Sequence, residues 1–414
     1  MRHFYNYGLL KNCQICGSAN IKEVFHLGFQ PLADDLSNEV FKNTVKNYFP
    51  IKIDFCKKCR LLQNSYIVGD SILYNKSYHY RPGISKSIVD NLYILARDIL
   101  KIYKPSINDY ILDVGCNDGT LLNQFKKLGF SKLIGVDPTN TIKIIKNKNI
   151  KTFNYFFDLN TAKRIKKIHG KIKIITTTNV FAHTNNLGAF ILGVKELIKN
   201  DGVFIIENHY LLDVIKKNQF DTFYHEHLRT YSLKSLILLM KMYGFKIIDA
   251  YRSERYGGNI QAHFVLNHSQ LKRSKNISVI LKKEMFLDNI STYFKFKKRI
   301  DKIKYALLEF LIKNKNKVII GKAFPARASV ILHYFSYLKD FISVIAEQPS
   351  SLKINYYAPG TNIKIVNSNG LIKIKPRIII IFAWHLFSVI KKKWISRGLK
   401  NVKFVKVLPK LKIF

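Results

Sequence analysis

Between Tyr110 and Asp137 the chain follows a pattern that few folds accommodate. A short apolar run, YILDVG, enters the turn Cys116-Asn117-Asp118-Gly119 and leaves it as a helical stretch, TLLNQFKKLG; a second run, KLIGVD, then ends on Asp137. Strand, glycine turn, helix and strand make one unit of a doubly wound α/β sheet. Further apolar runs at 172–178 and 203–207, each a helix length apart, continue it. After them FKIIDAY and NIQAHFVL flank a Tyr256-Gly257-Gly258 turn, which predicts an antiparallel hairpin at the sheet edge. From about residue 290 the alternation begins again. A Lys- and Leu-rich helix precedes KVIIGKA, PARASVILHYF, FISVIAE and PRIIIIFAW, so a second α/β unit of similar layout is expected.

The first turn carries a ligand argument. Asp113 stands at the strand end, and Gly115, Asn117, Asp118 and Gly119 supply small or polar residues where the backbone must bend near a ligand. The sequence differs from the dinucleotide pattern GxGxxG. With Asp137 ending the next strand it suits a nucleoside: Asp137 can accept both ribose hydroxyls, and the turn can meet the amino acid part of S-adenosylmethionine. A tight βα turn without a ligand is the plainer alternative, and two acids at successive strand ends weigh against it. Cys116, inside the turn, reads as a small packing residue.

The other four cysteines come in two pairs, Cys13-Gln14-Ile15-Cys16 and Cys56-Lys57-Lys58-Cys59. Two such knuckles supply four thiolates that can close a tetrahedron round Zn²⁺ with no open position, which is a structural site. Disulfides or a redox pair are the rival reading; a reducing compartment and the lack of a thioredoxin-like context oppose it. The 39 residues between Cys16 and Cys56 exceed ordinary zinc-ribbon spacing, so a hairpin or loop must fill the gap.

A chain of 414 residues suggests two or three domains, and 47% hydrophobic content suits globular material. The beginning has no apolar leader and no run of 18 uncharged apolar residues follows, so a soluble, cytoplasmic protein without a membrane partner is expected. The net charge of +42 invites a nucleic-acid reading, yet its Lys and Arg are spread along the whole chain rather than gathered in a stripe. Such a surface would still collect an anionic substrate. Ile84, Ile88, Leu92, Leu95 and Ile99 mark an amphipathic helix ahead of the first strand.

Candidate chemistry lies on two loops after strands of the first sheet. One reads Asn179-Val180-Phe181-Ala182-His183, the other Phe220-Asp221-Thr222-Phe223-Tyr224-His225-Glu226-His227. Single histidines are usually structural, but His183, Tyr224, Glu226 and His227 together are a density typical of acid–base sites. His225 and His227 lack the spacing of a zincin helix.

With the two cysteine pairs, Tyr78-His79-Tyr80, DVGCNDGTLL, NVFAH, FDTFYHEH, YGGNI, YYAPGTNIKI and IFAWHL on the page, the chain resembles the sugar C-methyltransferase family over nearly its whole length. The resemblance implies a zinc-binding domain (1–70), a Rossmann-like S-adenosylmethionine-dependent methyltransferase domain (71–285) and a C-terminal α/β domain (286–414). It implies methyl transfer to a carbon beside a ketone on a nucleotide-linked deoxysugar. His227 is then the expected base and Glu226 its orienting group. Tyr78, His183 and Tyr224 would surround the sugar, Asn179 would lie near the cofactor, and no catalytic metal is required. A monomer is expected. A nucleic-acid methyltransferase and a noncatalytic family member are the alternatives. The sequence departs from the family's GxGxPAKG-like turn at Ala323, Arg327 and Ala328, which leaves Arg327 as the candidate phosphate contact.

Overall fold

The computed structural model describes residues 7–39, 48–73, 80–399 and 401–414. The cysteine knuckles sit on a small antiparallel sheet. β2 (Ile21–Pro31) pairs with β3 (Tyr48–Cys56) and β3 with β4 (Leu62–Asn64), while β1 (Gly8–Leu9) and β5 (Tyr66–Ile67) pair beside them. The β2–β3 hairpin is what fills the long gap between the knuckles. Ile51, Ile53 and Phe55 alternate along β3 and are buried, as a strand covered on one face requires.

A seven-stranded sheet forms the centre. It contains β6 (Ile111–Val114), β7 (Leu133–Val136), β8 (Ile150–Phe153), β9 (Ile172–Thr178) and β10 (Ile198–His209), all parallel. The chain then runs out to β11 (Arg229–Thr230), which pairs with β4 and gives the small sheet its fourth strand. It returns as β12 (Phe245–Ser253) and β13 (Asn259–Leu266), the expected edge hairpin; β13 lies antiparallel between β10 and β12. The order is β12-β13-β10-β9-β6-β7-β8, so direction of winding reverses between β6 and β9. That crevice is where a ligand is expected. β8 carries no apolar run because Lys151 and Thr152 are exposed, which is why the sequence gives no sign of it. The helix Lys86–Tyr103 buries Leu92, Leu95, Ala96 and Ile99 against Leu121, Leu122 and Phe125, matching the amphipathic spacing.

The second sheet holds β14 (Ile319–Lys322), β15 (Ile342–Glu347), β16 (Lys364–Asn367), β17 (Ile378–Ile381), β18 (Lys403–Lys406) and β19 (Lys412–Ile413). Its order is β16-β15-β14-β17-β18-β19, parallel except for β19. All four isoleucines of β17 are buried, as in a parallel sheet covered on both faces. In both sheets the first strand is central, the second and third lie to one side and the fourth and fifth to the other. Among the described residues no helix is long and apolar enough to cross a membrane.

Candidate active site

The four knuckle sulfurs converge. Cys13 Sγ lies 3.3 Å from Cys59 Sγ and Cys16 Sγ 3.6 Å from Cys56 Sγ, and all four lie within 4.8 Å of one another. None is in a disulfide. Four thiolates about 2.3 Å from a common Zn²⁺ would stand roughly 3.8 Å apart, so the arrangement suits that ion and leaves no position for substrate.

At the crevice the turn after β6 borders a cavity of about 450 Å³ lined by Asp113, Gly115, Asn117, Asp137, Asn179 and His183 among others. Its size is that of a small-molecule site. Gly115 has φ +76°, and a Cβ there would fall 2.2 Å from a methyl of Val180, so no other residue is accommodated without displacement. Asp137 Oδ2 accepts the Asn117 amide at 2.9 Å, and its Oδ1 accepts the amide and hydroxyl of Thr139 at 2.8 and 2.5 Å. Burial pushes its carboxyl above the usual range while these bonds oppose the shift. Burial also raises Asp113, to about 7, against a 2.8 Å bond from the Thr176 hydroxyl. Asn179, at φ +55°, accepts from Asn259 at 3.2 Å.

Asp118 and Gly119 lie off this lining. Asp118 instead accepts from the Gly83 amide at 3.0 Å and from Thr120, while Gly119 opens the helix at φ +74°. They shape the turn rather than face the cavity. Arg255 does line it, paired at 2.8 Å with Glu207, a buried carboxylate that also accepts from Asn259 and Gln261. Sequence reasoning passed over both; the only sign was Glu207 closing an apolar strand.

One wall of the cavity is His183, and behind it stand two more imidazoles. His183 meets the His227 ring edge to face at 4.8 Å, and His209 stacks on His227 at 4.3 Å. His227 Nδ1 lies 2.7 Å from the Thr222 carbonyl, which only accepts, so Nδ1 carries the proton. Nε2 therefore bears the lone pair and accepts from the Tyr224 hydroxyl at 2.8 Å. Burial lowers all three rings, His183 to about 4, His209 to about 3 and His227 well below the ordinary value, so all are neutral at pH 7. His209 ends β10, a place where site residues collect, but a single histidine in ENHY gave no further signal.

Glu226 takes a different position from the expected one. Its carboxylate lies 4.0 Å from His183 Nδ1, and Thr222 with Tyr224 orients His227 instead. Burial, with Asp34 nearby, raises Glu226 to about 8 while Lys353 opposes. His225 turns the other way, toward the Phe49 carbonyl at 3.0 Å. Tyr78 lies outside the described residues. Arg327 is not a free phosphate contact: it donates to Asp221 at 2.7 Å, Gln219 at 3.0 Å and the Tyr256 carbonyl at 2.8 Å, and Trp384 donates to the same Asp221 at 2.8 Å.

Comparison with known proteins accounts for this layout. A zinc binding domain model matches residues 13–74, a methyltransferase domain model residues 89–250 and a C-methyltransferase C-terminal domain model residues 254–409. Together the three matches run from residue 13 to residue 409, in the order zinc binding, methyltransferase and C-methyltransferase C-terminal domain. The third match begins inside the β12–β13 hairpin, whose second strand completes the central sheet. The C-methyltransferase NovU of Streptomyces niveus is 27% identical over 252 residues, 61% of this chain and 60% of that one, so the match spans less than two thirds of that relative. Among solved structures, a match is found to an S-adenosylmethionine-dependent methyltransferase of Clostridium acetobutylicum, with 16% identity, TM-score 0.34, and coverage of 43% of this chain and 92% of that chain. Another, of Anabaena variabilis, has 12% identity, TM-score 0.33, and coverage of 47% and 98%. The zinc binding domain match begins at Cys13 and contains all four cysteines of the cluster.

Proposed function

We propose that the protein methylates a carbon next to the ketone of a nucleotide-linked deoxysugar, with His227 as the base. The carrying observation is the His227 ring itself, neutral, fixed through Nδ1 and presenting a lone pair at Nε2 to the Tyr224 hydroxyl. A proton on a carbon alpha to a carbonyl is weakly acidic, so its removal needs a positioned neutral base and donors for the enolate oxygen. The α proton passes to the Tyr224 oxygen as the phenol proton passes to Nε2, so His227 is the base acting through Tyr224, and the enolate carbon is left to form the new C–C bond. S-adenosylmethionine, when bound, supplies the methyl group. Asp137, Asn117 and Gly115 hold its nucleoside and amino acid ends, and Asn179 lies beside them. Glu226, whose carboxyl burial raises, stands beside His183. The chain's large positive charge favours an anionic substrate of this kind.

The test is labelled S-adenosylmethionine with a panel of nucleotide-linked 4-keto sugars, read by mass spectrometry. His227→Asn should keep cofactor affinity while turnover falls about 10²–10⁴-fold, the usual contribution of a general base. It should also abolish exchange of the substrate's α proton with deuterated water in the presence of S-adenosylhomocysteine. If exchange survives there and vanishes in His183→Asn, His183 is the base; if both variants keep it, neither is. Because burial keeps His227 neutral, turnover should hold as pH falls through 6.5 and drop only further into acid.

A further inference from the structure

The loop bearing Tyr224 and His227 belongs to the central unit, yet much of what holds its backbone comes from the cysteine-bearing sheet. Asn64, the last residue of β4, donates through Nδ2 to two carbonyls, Tyr224 at 3.0 Å and His227 at 3.1 Å. Its own amide donates to the Leu228 carbonyl at 2.9 Å. Gln14, between the two cysteines of the first knuckle, reaches the same place: its Nε2 donates to the Asn64 carbonyl at 3.2 Å and to Leu228 at 3.3 Å. Three successive points of the loop are thus fixed by two side chains and one amide from the zinc-binding domain.

From Leu228 the loop continues directly into β11, paired with β4. There Arg229 donates to the Thr184 carbonyl at 2.7 Å, and the Leu228 amide donates to the Ala182 carbonyl at 3.1 Å. The His183 loop is therefore held by the same strand. Neither Gln14 nor Asn64 lines the cofactor cavity. Removal of the Asn64 side chain leaves the Tyr224 carbonyl with the His227 amide at 3.0 Å but takes the donor from the His227 carbonyl, and a buried carbonyl regains a partner most cheaply when the loop rotates, which moves the Tyr224 and His227 side chains.

We infer that Asn64 is a positioning residue for the Tyr224–His227 pair, and that the zinc knuckle acts on the chemistry through Gln14 and Asn64 as well as on stability. The inference rests on the acid–base reading of that pair. Misplacement of about 1 Å can cost on the order of 100-fold in rate, so Asn64→Ala should lower kcat about 10- to 100-fold with cofactor affinity and the substrate KM little changed. Its kcat–pH profile should shift toward the ordinary imidazole range, because a loosened loop admits water to a ring that burial now holds neutral. Gln14→Ala, which is half-exposed and leaves Asn64 in place, should show the same changes more weakly.

Zinc content and melting temperature are measured for each variant. The decisive readout needs no turnover: ¹⁵N shifts of the His227 ring in the wild-type protein should report a neutral imidazole with the proton on Nδ1, and in Asn64→Ala a mixture of tautomers or a raised pKa. Wild-type tautomer and pKa retained in both variants would overturn the inference. So would equal losses of cofactor affinity and kcat. If the wild-type protein methylates no keto sugar but the His227 shifts respond as stated, the positioning stands and the proposed reaction fails.

Discussion

The two parallel sheets repeat one design and use it differently. Each has a central first strand followed at once by a residue in the left-handed region, Gly115 at φ +76° after β6 and Ala323 at φ +64° after β14. Each has an acid at the end of the second strand that accepts a backbone amide from the first turn: Asp137 from Asn117 at 2.9 Å, Glu347 from Phe324 at 2.5 Å. The surroundings differ. Around Gly115 the turn opens on the cofactor cavity, whereas Lys322 turns inward to the Ala346 carbonyl at 3.0 Å and Arg327 is spent on Asp221 and Gln219. A switch point supplies a place for a ligand, and the side chains around it decide whether the chain's own groups fill that place.

Substituting the left-handed glycine should produce the largest difference between the sheets. Gly115→Ala places a methyl 2.2 Å from Val180 in a conformation unfavourable to alanine, so stability should fall by roughly 2–5 kcal/mol from backbone strain and overpacking together. Chemical denaturation measures it, and calorimetry should show weakened S-adenosylmethionine binding in the remaining folded protein. A variant as stable as the parent would mean the turn relaxes freely.

The strand-end acids give a sharper separation. Removing a charged hydrogen-bond acceptor from a ligand costs about 1.5–3 kcal/mol, so Asp137→Ala should weaken S-adenosylmethionine binding roughly 10- to 150-fold, and Glu347→Ala should leave that dissociation constant unchanged. Equal losses from both would erase the distinction drawn between the two crevices. The smallest effect, and one of opposite sign, belongs to Ala323→Gly. Relief of a left-handed alanine is worth about 1 kcal/mol after the entropy cost of glycine, so the melting temperature should rise slightly while cofactor affinity stays the same.

Much of this arrangement can be read in the sequence because its causes are local. Apolar runs broken by a glycine turn and ended by an acid depend on residues within about thirty positions, and so do helix spacing and the cysteine pairs; these give the first strand, turn and helix of the central sheet and the four cysteines that converge. The site beyond that is decided by contacts between distant segments. Nothing near Asp118 tells that its carboxylate caps Gly83 rather than facing a ligand, or near Glu226 that it sits by His183.

His209 and Asn64 escape notice for the same reason: one matters because a loop eighteen residues later stacks against it, the other because β11 crosses from the central unit to complete the small sheet. Arg327 shows the limit most clearly. As a residue type in a turn it suits phosphate, and only the packing of the second sheet against the loop at Asp221 commits its guanidinium to a buried carboxylate. Sequence determines which groups are available and how the chain bends around them. Burial and hydrogen-bond partners, which set protonation state and orientation, exist only once the sheets have packed.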